Sequence, residues 1–121
     1  LSHRRPFARF TPRDTTQSLA HYGGRPDGAT VDAEGCYWVA MFEGACLQRF
    51  TPQGELLQIL PLPVRCPTMP CFGGPDLRTL FITTSREKRP AQELADMPLS
   101  GQVLHLRVAV PGLATHFVNS P

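Results

Sequence analysis

Residues 47–52, Leu47-Gln48-Arg49-Phe50-Thr51-Pro52, repeat the pattern of residues 7–12, Phe7-Ala8-Arg9-Phe10-Thr11-Pro12. Both copies read apolar-x-Arg-Phe-Thr-Pro, and they start 40 positions apart, at 7 and 47. A repeat of about 40 residues has the size of one blade of a β-propeller, which is a four-stranded antiparallel sheet. The repeat therefore predicts a chain assembled from blade-sized units.

The residues around the second copy predict four short strands. Runs rich in β-branched, aromatic or other apolar residues lie at 29–31, 36–41, 46–51 and 55–60. They are separated by Gly-containing segments that are typical of hairpin turns, at 32–35, 42–45 and 52–54. The middle turn is expected to place Met41 opposite Cys46. Four consecutive antiparallel strands of this kind make one blade.

A looser copy of the same unit follows. Its strands are predicted at 71–72, 79–84, 101–108 and 115–118. An insertion at 85–100 interrupts it, and the segment 91–96 after Pro90 is predicted to form one or two helical turns.

Composition agrees with an all-β protein. The chain has 41% hydrophobic and 18% charged residues, as globular proteins do, and its 13 prolines and 10 glycines suit short strands and turns better than long helices. A small self-contained β-sandwich or barrel would show the same short strands and regular turns. The repeat and the composition leave both architectures open.

The charge and the cysteines indicate which binding partners and which cell compartment to expect. With 12 basic and 10 acidic residues, the net charge of +2 is too balanced to demand a nucleic acid or an anionic membrane. No segment approaches the roughly 20 apolar residues of a membrane span. Neither a C-x-x-C motif nor paired histidines accompany the four cysteines, so we expect buried free thiols in a cytoplasmic protein rather than zinc or disulfides, at Cys36, Cys46, Cys66 and Cys71.

Residues 26–40, Pro26-Asp27-Gly28-Ala29-Thr30-Val31-Asp32-Ala33-Glu34-Gly35-Cys36-Tyr37-Trp38-Val39-Ala40, add a more specific pattern. They resemble the signature of the gluconolactonase, regucalcin (senescence marker protein) and luciferin-regenerating-enzyme family, with its Pro-Asp-Gly, Val-Asp-x-Glu-Gly and Trp-Val-Ala elements. Phe72-Gly73-Gly74-Pro75-Asp76-Leu77 and Leu80-Phe81-Ile82-Thr83 resemble the family's next blade, in the same order. The resemblance extends from about Arg5 to Phe117.

This resemblance implies an architecture. Residues 1–121 would be the C-terminal part of a single six-bladed β-propeller, with about two blades plus strands of a third. The outer strands of one blade are expected in 1–20, one blade in 27–60, and another in 67–118 with the insertion 85–100.

The resemblance also implies a metal site. Family members hold a divalent cation near one mouth of the central channel through a Glu of the first blade, an Asn of a middle blade and the Asp of Pro-Asp-Gly. Asp27 matches the last of these, whereas the other two are expected in sequence preceding Leu1. Asp27 is thus expected to be both a metal ligand and a catalytic residue, acting as a base directly or through a water that it positions. Taken without the family, Pro-Asp-Gly is an ordinary turn sequence.

The function implied is that of a C-terminal fragment of a divalent-metal-dependent hydrolase of sugar lactones, inactive by itself. Ca²⁺ is the first choice of cation, with Zn²⁺, Mg²⁺ and Mn²⁺ as alternatives, and all would be incompletely liganded here because calcium alone takes six to eight oxygens. The alternative is a non-catalytic calcium-binding or protein-interaction propeller. Self-association through exposed blade edges is a further expectation.

The remaining polar candidates have structural interpretations. Asp32, Glu34 and Asp76 fall in hairpin turns, where Asp caps backbone groups and Glu is solvated. Trp38 is expected to pack within the blade. His105 is expected on the surface or in the channel.

Overall fold

The computed structural model describes residues 2–114 and residue 116. In these residues two antiparallel sheets form, with strand orders β1-β2-β3-β4 and β5-β6-β7, so that strands adjacent in sequence are adjacent in each sheet. The strands are β1 (Arg25–Val31), β2 (Tyr37–Phe42), β3 (Cys46–Phe50), β4 (Leu56–Pro61), β5 (Pro67–Gly73), β6 (Thr79–Thr84) and β7 (Leu104–Arg107). The prediction of an all-β protein is confirmed.

The insertion between β6 and β7 contains a single short helix, α1 (Ala91–Asp96). Pro90 is the N-cap of this helix. A proline fits at the start of a helix because the N–H that it lacks would have no intrahelical partner there. The predicted helical segment is confirmed at both ends.

The pairing of β2 with β3 follows the predicted turn. Met41 lies opposite Cys46, and the Gly44 N–H donates to the carbonyl of Met41 at 2.8 Å. Differences from the prediction occur at the first and last strands of the sheets. β1 begins at Arg25 instead of residue 29, β5 covers Pro67–Gly73 instead of 71–72, and β7 covers only Leu104–Arg107 of the predicted 101–108. Apart from His116, the strand predicted at 115–118 lies outside the described residues.

The strands predicted within 1–20 are absent from residues 2–20, which contain only the start of a short 3-10 helix at Leu19–His21. This segment instead packs on one face of the first sheet. The ring of Phe10 meets Phe50 edge-on at 5.8 Å, and Phe7 meets Tyr37 at 5.4 Å. A strand requires a partner that accepts and donates its backbone hydrogen bonds, and no described strand runs beside this segment.

Apolar side chains fill both faces of the first sheet. One face packs against the second sheet, and the buried residues of this interface are Trp38, Ala40 and Leu47 of the first sheet and Phe72, Leu80 and Ile82 of the second. Trp38 and Phe72 meet edge to face, with ring centroids 6.4 Å apart, which confirms the predicted packing role of Trp38. The opposite face carries Val39, Met41, Cys46 and Phe50, covered in part by the segment that holds Phe10.

Three of the four cysteines are buried, at Cys36, Cys46 and Cys66, and all four thiols are free. Cys71 is exposed, so the prediction of a buried thiol is wrong there. The reason is the alternation of a strand, because on β5 Pro70 and Phe72 turn toward the first sheet and Cys71 between them turns away. No helix in the described part of the chain combines the length and the apolarity that crossing a bilayer requires.

Candidate functional site

Asp27 lies on a β-bulge near the start of β1. Pro26 pairs with Met41 and Ala29 pairs with Val39, so Asp27 and Gly28 together face the single residue Ala40. A bulge of this kind places an extra residue outside the regular alternation and re-aims its side chain. The Pro-Asp-Gly sequence is therefore part of a strand here, and not a free turn.

The two sheets meet along their first strands. β1 and β5 lie side by side, and we call this border the inner edge. Gly28 shows how close the approach is, because a Cβ built on it would lie 2.3 Å from Met69 Sδ and 2.6 Å from the carbonyl oxygen of Thr68. Only a residue without a side chain allows this contact. The glycine after Asp27 thus holds the bulge directly against β5.

Asp27 is exposed, and its carboxylate has no hydrogen-bond partner among the described residues. Other aspartates of the chain are engaged: Asp32 binds backbone and side-chain donors of its own sheet, and Asp76 accepts from the guanidinium of Arg107 and from the Arg78 N–H. An unpaired carboxylate at a bulge remains available to a ligand.

A divalent cation needs more oxygens than Asp27 supplies. The described residues contain no group of three or more His, Cys, Asp or Glu side chains placed to hold a metal ion. The free carboxylate has the chemistry that calcium or magnesium selects, but it is one ligand of the set that such an ion requires. The described residues therefore do not form a metal site by themselves.

A charged network joins the insertion to the end of the first sheet near Asp27. Arg89 donates from Nη1 to Glu43 and from Nε to Glu93, each at 2.7 Å, while Arg25 donates to the other carboxylate oxygen of Glu43 at 3.1 Å. Arg89 is 10% exposed, so these bonds are largely shielded from water. They hold the pKa of Arg89 above its usual range, and the Arg89 guanidinium holds the pKa of Glu93 below its usual range. The network fixes α1 above the turn between β2 and β3.

Sequence reasoning did not identify this network. The only local signal was the spacing of Arg89 and Glu93, which are four residues apart, with Arg89 just before α1 and Glu93 in its first turn. Glu43 is 46 positions from Arg89 and comes close only when the insertion folds back over the first sheet.

Asp32 organises the opposite end of the first sheet. It is completely buried and accepts hydrogen bonds from the backbone N–H of Glu34 and Cys36, at 2.9 and 3.0 Å. Trp38 Nε1 and Arg49 Nε both donate to its other oxygen at 2.9 Å. Burial raises the pKa of Asp32, but these hydrogen bonds outweigh it and hold the pKa below its usual range. The predicted capping role is confirmed, and the buried ion pair is an addition to it.

Glu34 and Asp76 also keep structural roles. Glu34 is exposed as predicted, and it accepts from Arg49 at 2.9 Å.

The side chain of His105 is exposed on β7, where its ring lies 6.3 Å from that of Phe81.

A groove of about 580 Å³ lies elsewhere, between residues 8–24 and the first sheet, with Phe10, Met41 and Gln48 among its lining residues. Asp27 does not line it. The open carboxylate belongs to the inner edge and the groove to the face of the sheet.

Comparison with known proteins matches this chain to one family. Residues 1–86 match the family described as "SMP-30/Gluconolactonase/LRE-like region". A "6-deoxy-6-sulfogluconolactonase" of Pseudomonas putida is 60% identical over 92 residues, which are 76% of this chain and 32% of that protein. Regucalcin of Danio rerio is 40% identical over 90 residues, or 74% of this chain and 30% of that protein.

Solved structures agree on the fold. A calcium-binding protein, regucalcin, from Agrobacterium tumefaciens superposes with a TM-score of 0.70 at 30% identity, covering 74% of this chain and 30% of its own. A luciferin-regenerating enzyme superposes with a TM-score of 0.63 at 35% identity, covering 75% and 31%. The chain spans about a third of the length of the curated relatives that it matches. With the family model covering residues 1–86 of 121, this chain belongs to the SMP-30/gluconolactonase/LRE-like family.

Proposed function

We propose that this chain forms part of a six-bladed propeller that hydrolyses sugar lactones with one divalent cation, and that Asp27 is a ligand of that cation and the base of the reaction. The observation that supports this most directly is the free carboxylate of Asp27 on the bulge of the inner edge. Family membership supports the sugar-lactone class.

Hydrolysis adds water to the carbonyl carbon of the lactone and then breaks the bond from that carbon to the ring oxygen. Asp27 would accept a proton from the attacking water and return it to the departing ring oxygen, which yields the open-chain hydroxy acid. A bound divalent cation would polarise the lactone carbonyl. The bulge keeps the carboxylate at a fixed position, because Gly28 is held against Thr68 and Met69.

The relative from Pseudomonas putida suggests a first substrate. Its name specifies 6-deoxy-6-sulfogluconolactone, and the identity of 60% over 92 residues makes this sulfonated lactone the first to test beside glucono-1,5-lactone. Ca²⁺ is the first cation to test, and Zn²⁺, Mg²⁺ and Mn²⁺ follow. By themselves the 121 residues are expected to be inactive, because they bring one acidic ligand to the inner edge.

The test uses a chimera in which this chain replaces the matching segment of the Pseudomonas putida relative. The chimera is assayed for lactone hydrolysis by measuring the acid released, with added cations and with EDTA. We expect activity that EDTA abolishes, and a loss of at least about 100-fold in kcat for Asp27→Asn. Asp14→Asn is the matched control, since Asp14 accepts from Thr16 in an exposed turn and an asparagine oxygen can do the same.

A non-catalytic calcium-binding propeller is the second candidate, because the printed description of the Agrobacterium tumefaciens structure is that of a calcium-binding protein. Titration calorimetry of the chimera with Ca²⁺ separates the two. Calcium binding that depends on Asp27, together with no hydrolysis of either lactone, would establish this second function and refute the first.

A further inference from the structure

The inner edge contains a second bulge beside the one at Asp27. On β5, Pro67 pairs with Thr84 and Met69 pairs with Thr83, which leaves Thr68 as the extra residue. The two bulges have the same construction, since a proline precedes the extra residue in each, at Pro26 and at Pro67. They lie against each other, as the position of Gly28 beside the Thr68 carbonyl shows.

The Thr68 hydroxyl is held by a neighbour. Its Oγ1 lies 2.7 Å from Oγ1 of Thr83, and either atom can be the donor. Thr83 Oγ1 also lies 3.4 Å from the carbonyl of Met69, a long and weak contact. Two hydroxyls carry two protons, and their mutual hydrogen bond uses one. If Thr83 donates to Thr68, the Thr68 proton has no other acceptor among the described residues. If Thr68 donates to Thr83, the Thr83 proton can go to the Met69 carbonyl, and the Thr68 oxygen keeps its lone pairs for a ligand.

Valine would fit a strand as well as threonine does, because it has the same shape and a higher β propensity. The strand itself therefore does not explain the paired hydroxyls of Thr68 and Thr83. Thr68 lies at the bulge that touches the Asp27 bulge. A hydroxyl that is oriented by a second hydroxyl is ready to hydrogen-bond to a ligand hydroxyl, as a donor or as an acceptor.

We propose that Thr68 is a substrate-binding residue of the lactone site, and that Thr83 is a positioning residue that orients it. The Thr68 hydroxyl hydrogen-bonds to a hydroxyl of the sugar ring while the lactone carbonyl lies at Asp27. This proposal rests on the proposed function. It makes the β5 bulge a determinant of preference for hydroxylated lactones.

The experiment compares two substrates in the chimera. Glucono-1,5-lactone carries ring hydroxyls, whereas δ-valerolactone has the same ring and none. We expect Thr68→Val to raise KM for gluconolactone about 3- to 10-fold, the effect of one lost hydrogen bond, with kcat/KM for δ-valerolactone unchanged. Thr68→Ser should restore the gluconolactone value, and Thr83→Val should show the same selective effect in weaker form.

Thr30→Val is the matched control, because Thr30 lies on β1 beyond the bulge, opposite Trp38, and has no side-chain hydrogen bond to a described residue. Equal losses for both substrates in Thr68→Val, or no loss for either, would overturn the proposal. If the chimera hydrolyses no lactone, the proposed function fails instead. In that case the 121-residue chain is titrated with 1,5-anhydroglucitol while the methyl resonance of Thr68 is followed by NMR. We expect the resonance to shift, and an unshifted resonance would refute the binding role of Thr68.

Discussion

Arg49 and Asp32 form an ion pair inside the first sheet, with Arg49 Nε–H donating to Oδ2 of Asp32 at 2.9 Å and the carboxylate completely buried. Asp32 directly follows β1 and Arg49 lies on β3, so the pair ties the first turn of the sheet to its third strand. Arg49 also lies 5.6 Å from the ring of Trp38, which donates to the same carboxylate. This cluster holds the end of the sheet opposite to Asp27.

Asp32→Asn is expected to destabilise the chain by about 3 kcal/mol, because it removes the buried charge opposite Arg49 and leaves the exposed Glu34 as the acidic partner of that half-buried guanidinium. Urea unfolding followed by tryptophan fluorescence measures the change. Asp76→Asn is the control, since it breaks the pair of Asp76 with Arg107 on the surface, where water replaces the lost contact. A similar loss in both variants would contradict the argument from burial.

The carboxylate of Asp32 also makes the stability of the fold depend on pH. The pKa of Asp32 is lower in the folded chain than in the unfolded chain, so the unfolded chain binds more protons as the pH falls. Asp32 therefore stabilises the fold above its unfolded pKa, and this contribution disappears as the pH falls through the folded pKa. We expect the free energy of unfolding to decline as the pH falls below about 5, and to decline less steeply in Asp32→Asn.

Gly28→Ala is expected to separate the two sheets at the inner edge. The new Cβ would lie 2.6 Å from the backbone carbonyl of Thr68 and 3.0 Å from Met69 Cα, and backbone atoms of a paired strand cannot move aside cheaply. A loss of about 1–3 kcal/mol should follow in urea unfolding. Gly23→Ala is the control, because a Cβ there meets nothing within 4 Å, and it should leave stability nearly unchanged.

Arg89→Met is expected to release the insertion from the first sheet. It removes the shared partner of Glu43 and Glu93, which among the described residues leaves Glu43 with the exposed Arg25 and Glu93 with only the 3.8 Å contact to Arg65. Hydrogen exchange should accelerate at the amides of Leu94 and Met97, which close α1. Arg86→Met is the control within the same insertion, since Arg86 is exposed and packs its stem against Gly101. Unchanged protection of α1 in Arg89→Met would show that packing alone holds the insertion.

The cysteines should differ in reactivity. Cys71 is exposed, whereas Cys36, Cys46 and Cys66 are buried, and burial raises the pKa of the Cys46 and Cys66 thiols. Because the thiolate is the reactive form, Ellman's reagent should titrate one thiol quickly in the native chain and all four in denaturant. Cys71→Ser should remove the fast phase, and its persistence would place the reactive thiol elsewhere.

Much of the fold could be predicted from local patterns. The turn that pairs Met41 with Cys46 and the helix after Pro90 follow from short-range rules, because turn and helix-start residues act on their neighbours. Residues 7–12 show where such rules fail. They repeat the pattern of 47–52, yet Arg9 is exposed and lies in no strand, while Arg49 is half-buried beside Asp32. The same six-residue pattern forms a strand only where other strands pair with it.

The candidate site divides in the same way. Pro-Asp-Gly marked Asp27 within the sequence, and the hydrophobic pattern marked the strands on either side of the turns, because both signals are contained in a few adjacent residues. Only the tertiary structure decided that Thr68 lies beside the bulge of Asp27, that Arg89 reaches Glu43, and that Cys71 faces away from the core. These relationships join residues up to 46 positions apart. They depend on how two sheets and an insertion pack, and no local periodicity encodes that packing.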